Sequence, residues 1–338
     1  MGKKITLSLV AIVLIVASMV SFNMNGMGSI AHAGNGTDKE IKNVGDLCDV
    51  TDAILYSLDG RDNGDSKFKS ATVHVNLMLK QDYSYGSTDS AKGSAEVDMT
   101  LYLTNKAIYA EMQMISYSSS VGEEKDENGN KETKNLKSFA KYNFNVYISE
   151  KKCYVKIMDF NTSSNTASQT INAEYMNKWI EVPHNIAVSY LPSLNIAEQY
   201  LEEYIDMLDG LLELEEIKEK DTSLSLNERE LAEMLGETID TDDYTINFEV
   251  DLSDKTHSYI SMHTAMKTQE DVPSYDSTSG NSSTISYKTS KKEVVDIVIY
   301  NVNNTVVDLG SAKIDPVTEV ETMDDWKDLF TTKEYKED

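Results

Sequence analysis

From Ala71 onward, apolar and polar side chains alternate one for one. In Ala71 to Lys80 the odd positions are Ala71, Val73, Val75, Leu77 and Leu79, and the even ones are Thr72, His74, Asn76, Met78 and Lys80. Ala95 to Thr104 repeats the pattern with Ala95, Val97, Met99, Leu101 and Leu103, and Tyr244 to Leu252 repeats it with Ile246, Phe248 and Val250. A period of two marks a strand with one dry face and one wet face. The pattern predicts further strands over 106–117, 138–149, 152–160, 171–182, 258–268, 284–289 and 292–302. Short turns and polar loops join them, as in an antiparallel sheet. The stretches 122–135 and 269–284 are rich in charged residues or in Ser, Thr and Gly, and read as mobile loops.

Two stretches follow a helical period instead. Ile41, Val44, Leu47, Cys48, Ile54, Leu55 and Leu58 predict a helix over 38–58, ended by the turn residues Gly60 to Asp65. Ala197, Tyr200, Leu201, Tyr204, Ile205 and Leu208 form the apolar stripe of a second helix with an acidic opposite side. A shorter helix follows, with Ser225 and Glu228 spaced as a capping box, and the two make a helical insert over 193–236. After Pro316 the chain is an acidic tail, 317–338, where Met323, Trp326 and Phe330 are spaced for a short docking helix.

About nine strands share one apolar face, and two substantial helices are available to cover it, so the sheet must curl, close or pack on something. The expected fold class is therefore α+β: a large curled antiparallel β-sheet, a half-barrel, wrapped around the N-terminal helix and carrying the helical insert. A single domain would span 34–316. A sandwich of two smaller sheets is the rival arrangement. A curled sheet only partly filled by helices leaves an apolar trough suited to ligands that avoid water. The side chains placed to line it are Val73, Val75, Leu77, Val97, Met99, Leu101, Met112, Met114, Ile246, Phe248 and Val250.

The N-terminus supplies an address. Lys3 and Lys4 precede the apolar run Leu7 to Val20, and Ala31-His32-Ala33 offers the small-x-small pattern that signal peptidase cleaves. Residues 1–33 read as a secretory signal cleaved after Ala33, which places the protein outside the cytoplasm, secreted or associated with a cell surface. The apolar run is too short to span a bilayer, and no transmembrane anchor is expected. No cysteine follows the cleavage point, so no lipid anchor is expected there.

Charge narrows the partners. The formal net charge is −26, and the signal holds two lysines and no acid, so the remainder is more negative still. Such a chain as a whole is repelled by nucleic acid and by anionic lipid surfaces. Cys48 and Cys153 are the two cysteines. Outside the cell they can form a disulfide, which closes a loop worth at most ~4.7 kcal/mol in the chain-entropy model. Two buried free thiols are the equal alternative.

Chemical motifs are thin, and no cofactor or metal site is expected. Ser66-Lys67-Phe68-Lys69 and Ser138-Phe139-Ala140-Lys141 match Ser-x-x-Lys, and Lys288-Thr289-Ser290 resembles a third motif of penicillin-recognising enzymes. Those enzymes open a helix with the serine, whereas here both serines belong with strands. His74, His184, His257 and His263 are too dispersed for a shared metal, with His257 and His263 ~20 Å apart along one strand. Asp126 to Asn130 places its glycine at the fourth position, where a calcium loop needs it at the sixth.

The order of elements, together with Asn177-Lys178-Trp179-Ile180-Glu181-Val182 and the run Val295-Asp296-Ile297-Val298-Ile299-Tyr300-Asn301 leading to Ile314-Asp315-Pro316, resembles the LolA/LppX-like lipoprotein-carrier fold over about residues 38 to 316. That resemblance implies a half-barrel whose hydrophobic cavity binds lipid or lipoprotein acyl chains. The leading expectation is a secreted, non-enzymatic protein that carries or senses a lipid or other amphiphile. The alternative is a cell-surface interaction or scaffold module with a solid core and a protein partner, working through its wet face, its loops or its acidic helix.

Overall fold

The computed structural model describes residues 31–47, 49–50, 69–85, 89–104, 107–125, 131–149, 153–182, 223–227, 229–230, 244–276, 281–307, 314, 316–335. The signal segment 1–30, Cys48, the second half of the expected N-terminal helix and most of the expected helical insert lie outside them.

Among the described residues the fold is antiparallel β, with 74% strand and 7% helix. The expected α+β half-barrel wrapped around an N-terminal helix is therefore corrected to a fold that is nearly all β among the described residues. The strands are β1 (Ala31–Ala33), β2 (Ser70–Tyr85), β3 (Asp89–Thr104), β4 (Ala107–Lys125), β5 (Lys131–Ser149), β6 (Cys153–Ser164), β7 (Ala167–Ile171) and β8 (Trp179–Val182). They continue with β9 (Ser223–Asn227), β10 (Tyr244–Asp251), β11 (His257–Asp276), β12 (Asn281–Tyr300), β13 (Thr305–Val307), β14 (Thr318–Glu319) and β15 (Phe330–Glu334). The main sheet runs β14-β8-β6-β5-β4-β3-β2-β12-β11-β10-β9, with β7 beside β6 and β15 beside β7. Every pairing is antiparallel except β14 on β8. β1 and β13 form a separate two-stranded ladder.

The fold class differs because the strands are longer than the apolar pattern. β4 and β5 each run 19 residues, and β11 and β12 each run 20. The stretches 122–135 and 269–284, read above as mobile loops, are mostly the outer ends of two hairpins, paired through Lys125↔Lys131 and Asp276↔Asn281. Their Ser and Thr residues cannot build a core, but the backbone ladder satisfies their N–H and C=O groups without one.

At the N-terminus helix covers 44–47 and 49–50, while 38–43 is irregular. Asn43 caps the turn, its Oδ1 accepting from Asp46 N–H at 2.8 Å. Ahead of the cap the backbone is claimed by strand ends: Lys39 N–H donates to Val302 O at 2.8 Å and Ile41 N–H to Lys255 O at 2.9 Å. Ile41, Val44, Leu47 and Val50 are buried in the main core.

Ser225, read above as a helix cap, lies mid-strand in β9. The cap is two residues later. Asn227 Oδ1 accepts from the N–H groups of Arg229 and Glu230 at 3.0 and 3.1 Å, and Glu230 Oε2 accepts from Asn227 N–H at 2.9 Å. The alternation Leu224, Leu226 on β9 is what decides it, because both side chains are buried and pair across to β10.

Within the acidic stretch 317–338, the described residues 317–335 join the sheet. β14 pairs beside β8 in parallel, a Thr322/Asp325 capping box opens α1 (Met323–Asp328), and β15 pairs with β7. Trp326 and Phe330 pack on the core with Phe160, the rings of Phe160 and Phe330 lying 4.4 Å apart between centroids.

One register shift interrupts the long ladders, between Asn143 and Phe144 opposite β6. Met158 is the extra residue. Its insertion moves the dry face of β6 from Val155 and Ile157 to Phe160, so both ends of the strand keep an apolar residue on the core.

Lys291 and Glu293 are buried on the dry face, 5% and 2% exposed, and form an ion pair where the apolar half of the strands ends. Thr264 Oγ1 donates to Glu293 Oε2 at 3.1 Å. Burial of such a pair costs desolvation, and removal of one partner strands the other. Lys291→Met is expected to lower stability by ~3–5 kcal/mol, and the double change Lys291→Met/Glu293→Leu to restore most of it. Urea unfolding of both variants tests this; equal losses would show that the pair is not coupled.

Candidate functional site

The register assigns every long-strand side chain to one of two faces. The dry face holds ten of the eleven expected trough residues as buried core: Val73, Val75, Leu77, Val97, Met99, Leu101, Met112, Ile246, Phe248 and Val250. Met114 is partly buried against the same cluster. These residues do come together, as the alternation predicts, in one buried cluster.

On the wet face, the end of the sheet near the 301–304 turn carries a second, smaller cluster of Ala107, Tyr109, Tyr147 and Tyr154, with Tyr102 and Trp179 against it. Glu111 is enclosed beside it at 5% exposure. Asn145 Nδ2 donates to the Tyr109 hydroxyl, and among the described residues Glu111 Oε1 has no hydrogen-bond partner. Burial raises the Glu111 carboxyl above its usual value, opposed by its hydrogen bond with Tyr109. The Tyr102 and Tyr109 hydroxyls are also pushed up, first by burial and then by the Glu111 charge.

The opposite end of the wet face is open. Lys80, Ser94, Tyr117, Phe139 and Ser163 stand in one row across β2, β3, β4, β5 and β6. Asp82, Lys92, Ser119 and Lys137 form the next row across β2 to β5. Asn165 closes it, its Oδ1 accepting from Lys137 N–H at 2.7 Å. The two rows line a shallow cavity of about 620 Å³. Tyr117 is 55% exposed, and its ring lies 5.0 Å from that of Phe139 between centroids, tilted by 43°. Asp82 is the single acid among the described residues of the lining. Lys267, Lys288 and Lys292 are exposed and continue the basic surface onto β11 and β12.

The remaining sequence candidates separate. Ser138 and Lys141 are three apart in a strand and so point to opposite faces. Ser138 Oγ lies 2.7 Å from Ser118 Oγ, and Lys141 pairs with Asp159 at 2.6 Å. Ser66 and His184 lie outside the described residues. His74 Nε2 lies 2.9 Å from Asp98 Oδ1, and His263 Nε2 lies 3.5 Å from Asp296 Oδ1. His257 rests on Thr256 and Asp254. Among the described residues no group of three metal-ligating side chains converges. Cys153 is a buried free thiol, pushed up to about 12 by burial.

The lysine and aromatic rows were not legible because the expected strands stop at Lys80, Tyr117 and Phe160 and start at Ala95 and Ser138, which leaves Asp82, Lys92, Ser94, Ser119, Lys137 and Ser163 outside any strand and so without a face. The available signal was the Ser-rich alternation itself, carried past the last apolar residue of each strand.

No family model matches this chain, and no curated protein matches it. Among solved structures it is similar to the outer membrane protease OmpT from Escherichia coli, at 7% identity over 69% of this chain and 97% of that chain, with a TM-score of 0.18. It is also similar to a Pseudomonas aeruginosa FadL homologue, at 6% identity over 70% of this chain and 90% of that chain, with a TM-score of 0.15. At these scores neither likeness carries an argument. The resemblance to the lipoprotein carriers finds no support in the comparisons. Among the described residues no helix is long and apolar enough to cross a membrane.

The folded chain holds the Glu111 proton more tightly than the unfolded one, so its contribution to stability is complete below the ordinary carboxylate range and is lost as pH rises through the raised value. Glu111→Gln is therefore expected to raise the melting temperature near pH 7, by ~2–4 °C for each kcal/mol removed. Near pH 4 the variant should melt with the parent. Thermal melts at the two pH values test this; an equal shift at both would assign the effect to packing.

Proposed function

We propose that this chain is an exported, non-enzymatic binding module that works through the wet face of its sheet. The observation behind this reading is the division of the two faces. The residues expected to line an apolar trough are core, whereas the open cavity of about 620 Å³ lies on the opposite, polar face. A carrier of acyl chains needs a dry opening, and the dry side chains here are engaged with one another. A binding module needs a broad exposed surface with polar groups of fixed spacing, and a rigid antiparallel ladder supplies one.

Export rests on the N-terminal segment. Cleavage after Ala33 would remove β1, leaving β13 without its ladder partner. Signal processing acts on the unfolded chain during translocation, so β1 would belong to the uncleaved precursor alone. N-terminal sequencing of the exported protein is expected to begin at Gly34; a mature chain retaining Ala31 to Ala33 would overturn the processing site.

The wet-face reading is tested by sedimentation of the purified chain with envelopes of the producing cell. Ser119→Trp, which places a bulky ring in the cavity, is expected to weaken association by ~10-fold, the effect of losing about 1.4 kcal/mol. Organic extraction of the same protein followed by mass spectrometry is expected to yield no stoichiometric lipid. Association unchanged by Ser119→Trp, or one lipid per chain, would overturn the reading.

A further inference from the structure

We infer that the cavity on the wet face binds an anionic polysaccharide, a chain of sugar rings carrying carboxylate, phosphate or sulfate groups. This deepens the wet-face reading and rests on it.

Three observations converge. The first is charge. In a chain of net charge −26, Lys80, Lys92 and Lys137 meet around one cavity with Asp82 as its single described acid. Among the described residues none of the three is held in an ion pair. The negative charge elsewhere does not cancel this patch, because salt screens exposed charges over ~8 Å at physiological ionic strength.

The second is the aromatic pair. Tyr117 is 55% exposed, the most exposed large apolar side chain among the described residues, and it stands beside Phe139. A ring face presents π density to the C–H groups on one side of a pyranose, and the tyrosine hydroxyl remains available for a hydrogen bond.

The third is the floor. Ser94 lies between Lys80 and Tyr117, Ser119 between Lys92 and Lys137, and Ser163 beside Phe139. Short hydroxyls both donate and accept, which suits the hydroxyls of a sugar. Adjacent strands place these groups ~4.8 Å apart, close to the length of one sugar ring. The row from Lys80 to Ser163 thus presents one charge, a hydroxyl, two adjacent rings and a second hydroxyl, one group per strand, at the repeat of a glycan laid across the strands. A single-stranded nucleic acid is the competing polyanion. It is met by arginine planes and successive stacking platforms, whereas the described residues of this lining hold one aromatic pair and no arginine.

The test uses the full chain and three probes: polygalacturonate, neutral dextran and an oligothymidylate. Affinity electrophoresis is expected to show retardation by polygalacturonate alone. Retardation should weaken at least ~10-fold between low and high salt, because exposed charges carry it. Lys80→Gln/Lys92→Gln/Lys137→Gln and Tyr117→Ala are each expected to weaken binding by ~10-fold. Lys69→Gln/Lys178→Gln, which alters lysines outside the cavity, should bind as the parent does. Circular dichroism melts confirm that each variant is folded. No binding of polygalacturonate at low salt, equal binding by the triple variant, or equal retardation by oligothymidylate would overturn the assignment. If polygalacturonate fails while Ser119→Trp still lowers envelope association, the glycan is wrong and the wet-face reading stands. If both fail, the face itself is not the working surface.

Discussion

The described fold hangs on one ladder of backbone hydrogen bonds that runs from β14 across to β9 and is offset at the Met158 bulge. Because side chains in a strand alternate with a period of two, the ladder converts residue parity into geometry: a slip of one residue would exchange the two faces. The apolar residues hold it in register. Leu77 lies opposite Val97, Val97 opposite Met114, and Val295 opposite Leu77, so each pair on the dry face fixes the next. The wet face inherits its register from that packing and adds the smaller Tyr109, Tyr147 and Tyr154 cluster at one end.

The ladder then outlasts its own core. The dry face is apolar along roughly half of each long strand and ends at the Lys291–Glu293 pair. Beyond it the hairpins β4–β5 and β11–β12 continue with Ser, Thr, Lys and Tyr on both faces. There the backbone groups are satisfied by the neighbouring strand, and aromatic contacts such as Tyr85 on Tyr287, 4.5 Å between centroids, add local cohesion. A polar sheet anchored at one end is a rigid exposed surface, which a loop of the same composition would not be. The cavity at Tyr117 and Phe139 lies in that part of the sheet.

Much of the sheet was legible from alternation. The strands beginning at Ala71, Ala95 and Tyr244 follow the pattern residue for residue, since there the dry face is unbroken. The extensions were not legible, because Ser and Thr runs carry no hydrophobic period and match loop composition equally well. The N-terminal helix was over-extended because Ile41 fits both a helical stripe and the strand-end contact with Lys255 that it makes. The cap at Ser225 was misplaced by two residues, since Asn227-x-x-Glu230 obeys the same spacing rule and only pairing with β10 separates them.

The sequence by itself determined which residues are apolar, which strands have one dry side, and that Val73, Val75 and Leu77 share that side with Val97 and Met99. Parity needs no partner to be read. Tertiary structure alone decided what the dry side does and what the wet side offers. Whether apolar residues line a cavity or fill a core depends on what meets them, and here they meet one another and Ile41, Val44, Leu47 and Val50. Whether Lys92, Tyr117 and Lys137 are neighbours depends on a register across strands far apart in sequence, which the local pattern does not contain.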